Sequence, residues 1–173
     1  ITFCSAFCCS SVLAFVPVIL MDKFELRTPA VSAFTSTGII LCIILDSTVY
    51  PRVVRVVSPP MLAPGLLLCL VGSCVLLSTP LAYSSPYVFV LCSLVSTPGS
   101  MFLMASENLI GGIAAKHGLP SHSSLSYGVT SRVWAIGTAA GQFLSAVLYA
   151  HDSRLPFSIM AALASMGCIA ALL

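Results

Sequence analysis

Charge is what this chain lacks. Only 7% of its 173 residues are Asp, Glu, Lys or Arg, five acids and seven bases, and its mean hydropathy is +1.08. A soluble domain carries about 25% charged residues. So few charges cannot solvate the surface of a chain this long, which excludes an ordinary water-soluble domain and leaves a lipid bilayer to cover most of it. Signature motifs are missing too. There is no Walker loop, dinucleotide fingerprint, nucleic-acid motif or Gly-x-Ser-x-Gly elbow, so neither an enzyme site nor a nucleic-acid partner is expected. The eight cysteines, Cys4, Cys8, Cys9, Cys42, Cys69, Cys74, Cys92 and Cys168, all lie in apolar runs, without a CxxC pair or a nearby His. They read as small packing residues, with no metal and no cofactor expected.

What is there is a series of long apolar stretches. A helix rises about 1.5 Å per residue, so roughly 20 apolar residues cross a hydrocarbon core of about 30 Å. Charges and proline clusters divide the chain into six such pieces, at about 1–21, 30–50, 61–79, 87–110, 133–150 and 155–173. Val56 to Ser106 carries no charge at all, too long a run for one helix, and the turn formers from Ser78-Thr79-Pro80 to Ser84-Ser85-Pro86 divide it. The segments are continuously apolar and do not alternate, which disfavours a transmembrane β-barrel. The expectation is an all-α membrane protein, one transmembrane bundle over 1–173. Ile1 and Leu173 both lie inside apolar runs, so the chain reads as a piece of a longer protein.

Loop charge orients the bundle. The second loop carries Arg52 and Arg55, and the fourth carries Lys116 with Arg132 just after it. These four bases face no loop acid. The odd loops hold three bases, Lys23, Arg27 and Arg154, offset by Asp22, Glu25 and Asp152. The positive-inside rule then puts the second and fourth loops, and both chain ends, in the cytoplasm. The plasma membrane and an organelle membrane both remain open as the location. His117 and His122 read as solvated loop residues and His151 as exposed.

Two stretches carry a resemblance. Gly38 through Asp46, followed by Pro51-Arg52 and Arg55, resembles the loop signature of major facilitator superfamily transporters: a helix Gly, an Asp at the cytoplasmic end, then bases. The loop Gly of that signature is missing here. Ser126-Tyr127-Gly128 through Gly137 and Gly141-Gln142 looks like the eleventh helix of the drug:proton antiporter and vesicular amine transporter group, with Gln142 where a Pro would stand. Pro98-Gly99, leading to Glu107-Asn108 and Lys116, resembles helix ten. The resemblance implies helices seven to twelve of a twelve-helix fold, the missing N-terminal six-helix half being a partner. It also implies alternating-access transport of a small organic solute coupled to protons. Asp46, Arg52 and Arg55 would then form a gating loop. Asn108 and Gln142 would lie on the substrate path.

The residues themselves allow bland and functional roles side by side. Gly137 and Gly141 lie one turn apart, where two helix backbones can approach, a packing groove that could also face a solute. Asp46 reads as an interfacial acid or a contact between halves. Glu107, an acid toward the cytoplasmic side of the fourth segment, is the first candidate for proton coupling and Asp46 the second. The rival reading of Glu107 is a partner of Lys116 beyond the helix. A channel filter, an arginine ladder and the repeated motif of mitochondrial carriers are all missing. The alternative function is a membrane scaffold or subunit that kept the bundle and does not transport.

The charge asymmetry makes a topological prediction. In sealed cells, Arg55→Cys should be labelled by an impermeant maleimide only from the cytoplasmic face; labelling from outside would overturn the orientation.

Overall fold

The computed structural model describes residues 2–57, 59–98 and 124–172. Among these every regular element is helical. Helix α1 spans Thr2–Asp22 and is buried around most of its girth, through Ala6, Cys8, Val12, Ile19 and Leu20. A helix apolar on all sides suits such a central position. Its hydroxyls turn inward on its own backbone: Ser10 and Ser11 donate to the carbonyls of Ala6 and Phe7, each at 2.6 Å. The turn after α1 puts Glu25 at φ 52°, in the left-handed region, and returns the Leu26 N–H to the Leu20 carbonyl at 3.1 Å.

Helix α2 runs over Thr28–Ile44, passes through a π turn at Leu45–Val49, and continues as α3 over Tyr50–Val56. The sequence suggested a span ending near Tyr50 and a loop carrying Arg52 and Arg55. Instead both arginines are helical and exposed. Pro51 explains the wide turn. Its ring would clash with the carbonyl four residues back in a regular α-helix, and it has no N–H to donate. The π turn moves the bonding register by one, with the Tyr50 N–H reaching Leu45. Ser47 and Thr48 add side-chain bonds to the carbonyls of Ile43 and Ile44, each at 2.6 Å.

Helix α4 spans Pro59–Ser78, a 3₁₀ turn covers Pro80–Ser84, and α5 spans Pro86–Leu94. The expected fourth segment, 87–110, is thus broken early. The residue before a proline is driven out of the α region, so Pro98 disfavours helix at Thr97. Ser93, Ser96 and Thr97 meanwhile bond carbonyls three residues back, at 2.6–2.7 Å. Such local bonds compete with the helix ladder. Helix α6 spans Ser124–Tyr149, starting well before the expected Val133 and carrying Arg132 within it, and α7 spans Leu155–Leu172.

Two helix pairs organise the packing: α1 lies mainly against α6, and α4 against α7. The first pair is parallel, since Gly137 meets Phe3 and Ala6 while Gly141 meets Phe7 and Ser11 further along. A Cβ at Gly141 would stand 2.6 Å from the Phe7 carbonyl oxygen and 2.7 Å from Ser11 Oγ. The second pair is antiparallel, with Cys168 Sγ reaching the Pro64 carbonyl at 3.9 Å. The ends of α1 and α6 meet where Tyr149 donates to Asp22 Oδ2 at 2.5 Å. At that same end the ring of Phe89 touches those of Phe24, Tyr83 and Phe157, with centroids 5.5–6.4 Å apart. The Tyr83 hydroxyl donates to the Ser153 carbonyl at 3.1 Å, and Arg154 stacks over its ring at 5.3 Å. Burial pushes the Tyr83 phenol up to about 12, so it remains a donor at neutral pH.

The exterior is apolar. Ile39, Ile40, Ile43 and Ile44 of α2, Ile136 and Phe143 of α6, and Met166 and Ile169 of α7 are all exposed. Two continuous helices, Thr2–Asp22 and Thr28–Val56, are long and apolar enough to cross a membrane, while Pro64–Ser78 and Leu155–Ala170 are shorter apolar stretches.

Three substitutions on α6 should separate. Gly141→Leu drives a side chain into the α1 backbone and should destabilise by about 1–3 kcal/mol. Phe143, 73% exposed, should accept Leu with little change. The buried Ser145 hydroxyl has no hydrogen-bond partner among the described residues, so Ser145→Ala should be neutral or stabilising by about 1 kcal/mol. Thermal unfolding in detergent measures all three; equal tolerance of Leu at 141 and 143 would contradict the close approach.

Candidate functional site

The middle of the molecule contains a small crevice between α1, α2 and the end of α5, about 40 Å³ in volume and partly open to the outside. Val12, Leu13, Val16 and Pro17 line it from α1, and Phe34, Thr35 and Gly38 from α2. Val90, Ser93 and Leu94 of α5 and Ser96 and Thr97 of the following turn complete it. Each element contributes an irregularity. Pro17 supplies no N–H to the Leu13 carbonyl one turn back. Gly38 offers α5 a helix surface without a side chain, the nearest atom to a Cβ there being Leu94 Cδ2 at 3.8 Å. α5 stops at Leu94 and leaves a hydroxyl-rich turn. Ser73 Oγ of α4 donates to the Cys92 carbonyl at 2.9 Å and holds α5 in place from behind.

The polarity of the crevice is specific. Thr35 donates to the Val31 carbonyl at 2.9 Å, Ser93 to Val90 at 2.7 Å and Ser96 to Ser93 at 2.6 Å. A hydroxyl has one proton and two lone pairs. With the protons committed to the backbone, what these oxygens have left to offer is their lone pairs. No ionisable side chain is among the described lining residues. The walls are otherwise aliphatic or aromatic. Such a site accommodates an apolar body and selects the polar group it carries.

Asp46 lies apart from this crevice. It is half-buried in the π turn and within electrostatic reach of Cys9, two turns inside α1. The sequence put it at a helix end. The structure puts it inside a continuous helix that runs on to Val56, which is about 15 Å further at 1.5 Å per residue. π turns occur frequently at functional sites, and an acid within an apolar span is a functional candidate by its cost. Arg52 and Arg55 follow on the same helix, exposed. Gln142 is exposed on α6, beside Gly141, and does not line the crevice. Gly137 and Gly141 face α1. Glu107 and Asn108, with Lys116, His117 and His122, lie outside the described residues. Among the described residues no group of His, Cys, Asp or Glu is arranged to hold a metal ion.

No family model, curated protein or solved structure matches this chain.

Thr35, Gly38, Ser93 and Ser96 were not singled out as a site by sequence reasoning. The available signal was the recurrence of hydroxyl residues inside apolar stretches, at 35, 93, 96 and 97. That signal is weak, because Ser and Thr commonly bond their own helix backbone. Only the meeting of α2 with the end of α5 makes it a site.

Gly38 and Gly141 should respond oppositely to the same change. At Gly38 an alanine methyl has ordinary contact distances, so Gly38→Ala should stabilise by about 0.5–1 kcal/mol through helix propensity. Gly141→Ala should destabilise, its methyl meeting backbone at 2.6 Å. Paired thermal melts check the signs.

Proposed function

We propose that the chain is a six-span membrane bundle, half of a secondary transporter, and that it carries a small organic solute by alternating access with proton coupling. The observation that carries this reading is the crevice: a partly open, mostly apolar space, with no charge among its described lining residues, between a helix that forgoes one backbone hydrogen bond at Pro17 and a helix that ends at Leu94. Transporters place solute sites at discontinuous helices, where irregular backbone lines a cavity. The exposed apolar flank of α2 supports contact with lipid or with a second half. α1, α4 and α6 run one way and α7 the other, which supports segments that cross and return.

Asp46 is the described candidate for the coupling proton. Glu107, outside the described residues, is the other candidate. Arg52 and Arg55, about two turns beyond Asp46, supply the positive end of the span. On this reading solute occupies the crevice and the acid cycles between charged and neutral as the bundle rocks.

A second reading, a scaffold that does not transport, is favoured by one observation: no ionisable group is among the described lining residues of the crevice. Uptake by the full-length protein in proteoliposomes, with and without an imposed pH gradient, separates them. Asp46→Asn or Glu107→Gln should abolish gradient-driven accumulation and spare exchange, since the amide mimics the protonated acid. Accumulation unchanged in both variants removes proton coupling through these acids, and a wild type that neither accumulates nor exchanges solute supports the scaffold.

A further inference from the structure

We infer that the crevice between α1, α2 and the end of α5 binds an uncharged, largely apolar small molecule through a single hydrogen-bond donor, a phenol or alcohol in class, and that it rejects cations. The inference rests on reading the crevice as the solute's place, and it adds the chemistry of the occupant.

Three observations combine. The walls are apolar, supplied by Val12, Val16, Phe34 and Val90, and reward an apolar body by contact and desolvation. The polar side chains among the described lining residues are the hydroxyls of Thr35, Ser93, Ser96 and Thr97, which donate to the carbonyls of Val31, Val90, Ser93 and Leu94. They therefore ask for a donor. A guest that brings only acceptors, such as an ether or ketone, would have to break one of these short intrahelical bonds to be recognised. Finally, no carboxylate is among the described lining residues. A cation buried there would lose its hydration without a counter-charge, and that loss exceeds what a few neutral acceptors return. An uncharged donor loses one bond to water and regains one to a serine.

Scale supports a small guest. At about 40 Å³ the crevice takes the edge of a single ring, not a fused system, and leaves the remainder of the guest in its open mouth. Gly38 keeps the space available. A leucine there would project from α2 toward Leu94 and occupy it, while the surrounding helices keep their lengths.

The test is binding, not transport. The chain in detergent is titrated with phenol, with toluene of nearly the same shape but no donor, and with benzylammonium, a cation of similar size. Saturation-transfer NMR reads binding, and displacement by excess phenol isolates the saturable part from micelle partition. Phenol should bind saturably and about fivefold or more tighter than toluene, as expected for about 1 kcal/mol of hydrogen bonding. Benzylammonium should show no displaceable signal. Gly38→Leu, with circular dichroism unchanged, should abolish saturable phenol binding. Ser93→Ala with Ser96→Ala, which leaves the space intact, should bring phenol down toward toluene.

Equal binding of toluene and phenol would overturn the inference in favour of a plain apolar recess, such as a seat for a lipid chain. Tighter binding of benzylammonium would overturn the uncharged class. Phenol binding that survives Gly38→Leu in a folded protein would move the site elsewhere. If Gly38→Leu fails to fold, the serine pair decides: loss of the phenol preference supports the inference and its persistence overturns it. Selective phenol binding by a protein that transports nothing supports the ligand class and counts against the transport reading alone.

Discussion

The carbonyl oxygens of Phe3 and Phe7 lie against Gly137 and Gly141, and the rest of the bundle is arranged around that near-contact of two backbones. Such a close approach brings many atoms of the two helices into dispersion contact. Glycines four residues apart give one helix a flat strip, and α1 settles into it along a parallel line. Everything else then follows from where α1 is placed. The bond from Tyr149 fixes its register at Asp22. Its opposite faces are left for α7, α2 and α5, so that Cys8 reaches the Met160 carbonyl at 3.4 Å and Pro17 turns toward the crevice. Ser5 and Ser145 are buried with no hydrogen-bond partner among the described residues. That is a local cost, offset by the dispersion attraction of a tightly packed seam.

A second constraint is that a backbone group away from water must be satisfied within the protein. The chain meets it with hydroxyls. Ser10, Ser11, Thr35, Ser47, Thr48, Ser93, Ser96 and Thr97 each donate to a nearby carbonyl of their own segment. The bonds cluster where prolines interrupt regular winding: before Pro51, and between α5 and Pro98. Proline thus introduces irregularity and hydroxyls make it tolerable. The crevice is a product of the same chemistry. It forms where one proline-bearing helix, one glycine face and one prematurely ended helix meet, and its acceptor character follows from hydroxyl protons already committed to the backbone.

Among the described residues, the acids other than Asp46 are kept to the margins. Asp22, Lys23, Asp152 and Arg154 gather at the end where α1, the 3₁₀ turn, α6 and α7 meet, close to Tyr149 and Tyr83. There they have water and partners. Asp46 is half-buried inside a long apolar helix, presented by a wide turn that a straight helix would not have. That acid stands apart from the described lining of the crevice.

The all-helical class was determined by composition alone, since so few charges and such long continuous apolar runs admit no half-solvated sheet. Segment positions near α1, α4 and α7 were also legible, because charges and prolines bound them sharply. The Gly137–Gly141 step was legible as a strip for close approach, although not the helix that fills it. Other features needed the tertiary structure. Pro51 reads as a stop in one dimension, but a π turn absorbs it and carries α2 on through Arg55. Pro98-Gly99 reads as a kink within a long helix, but the serines before it bond backward and end α5 at Leu94. The crevice and the tie from Tyr149 to Asp22 join residues distant in the chain. The local sequence sets what each segment prefers; which faces meet depends on where the closest backbone contact forms, and that is a property of the packed bundle.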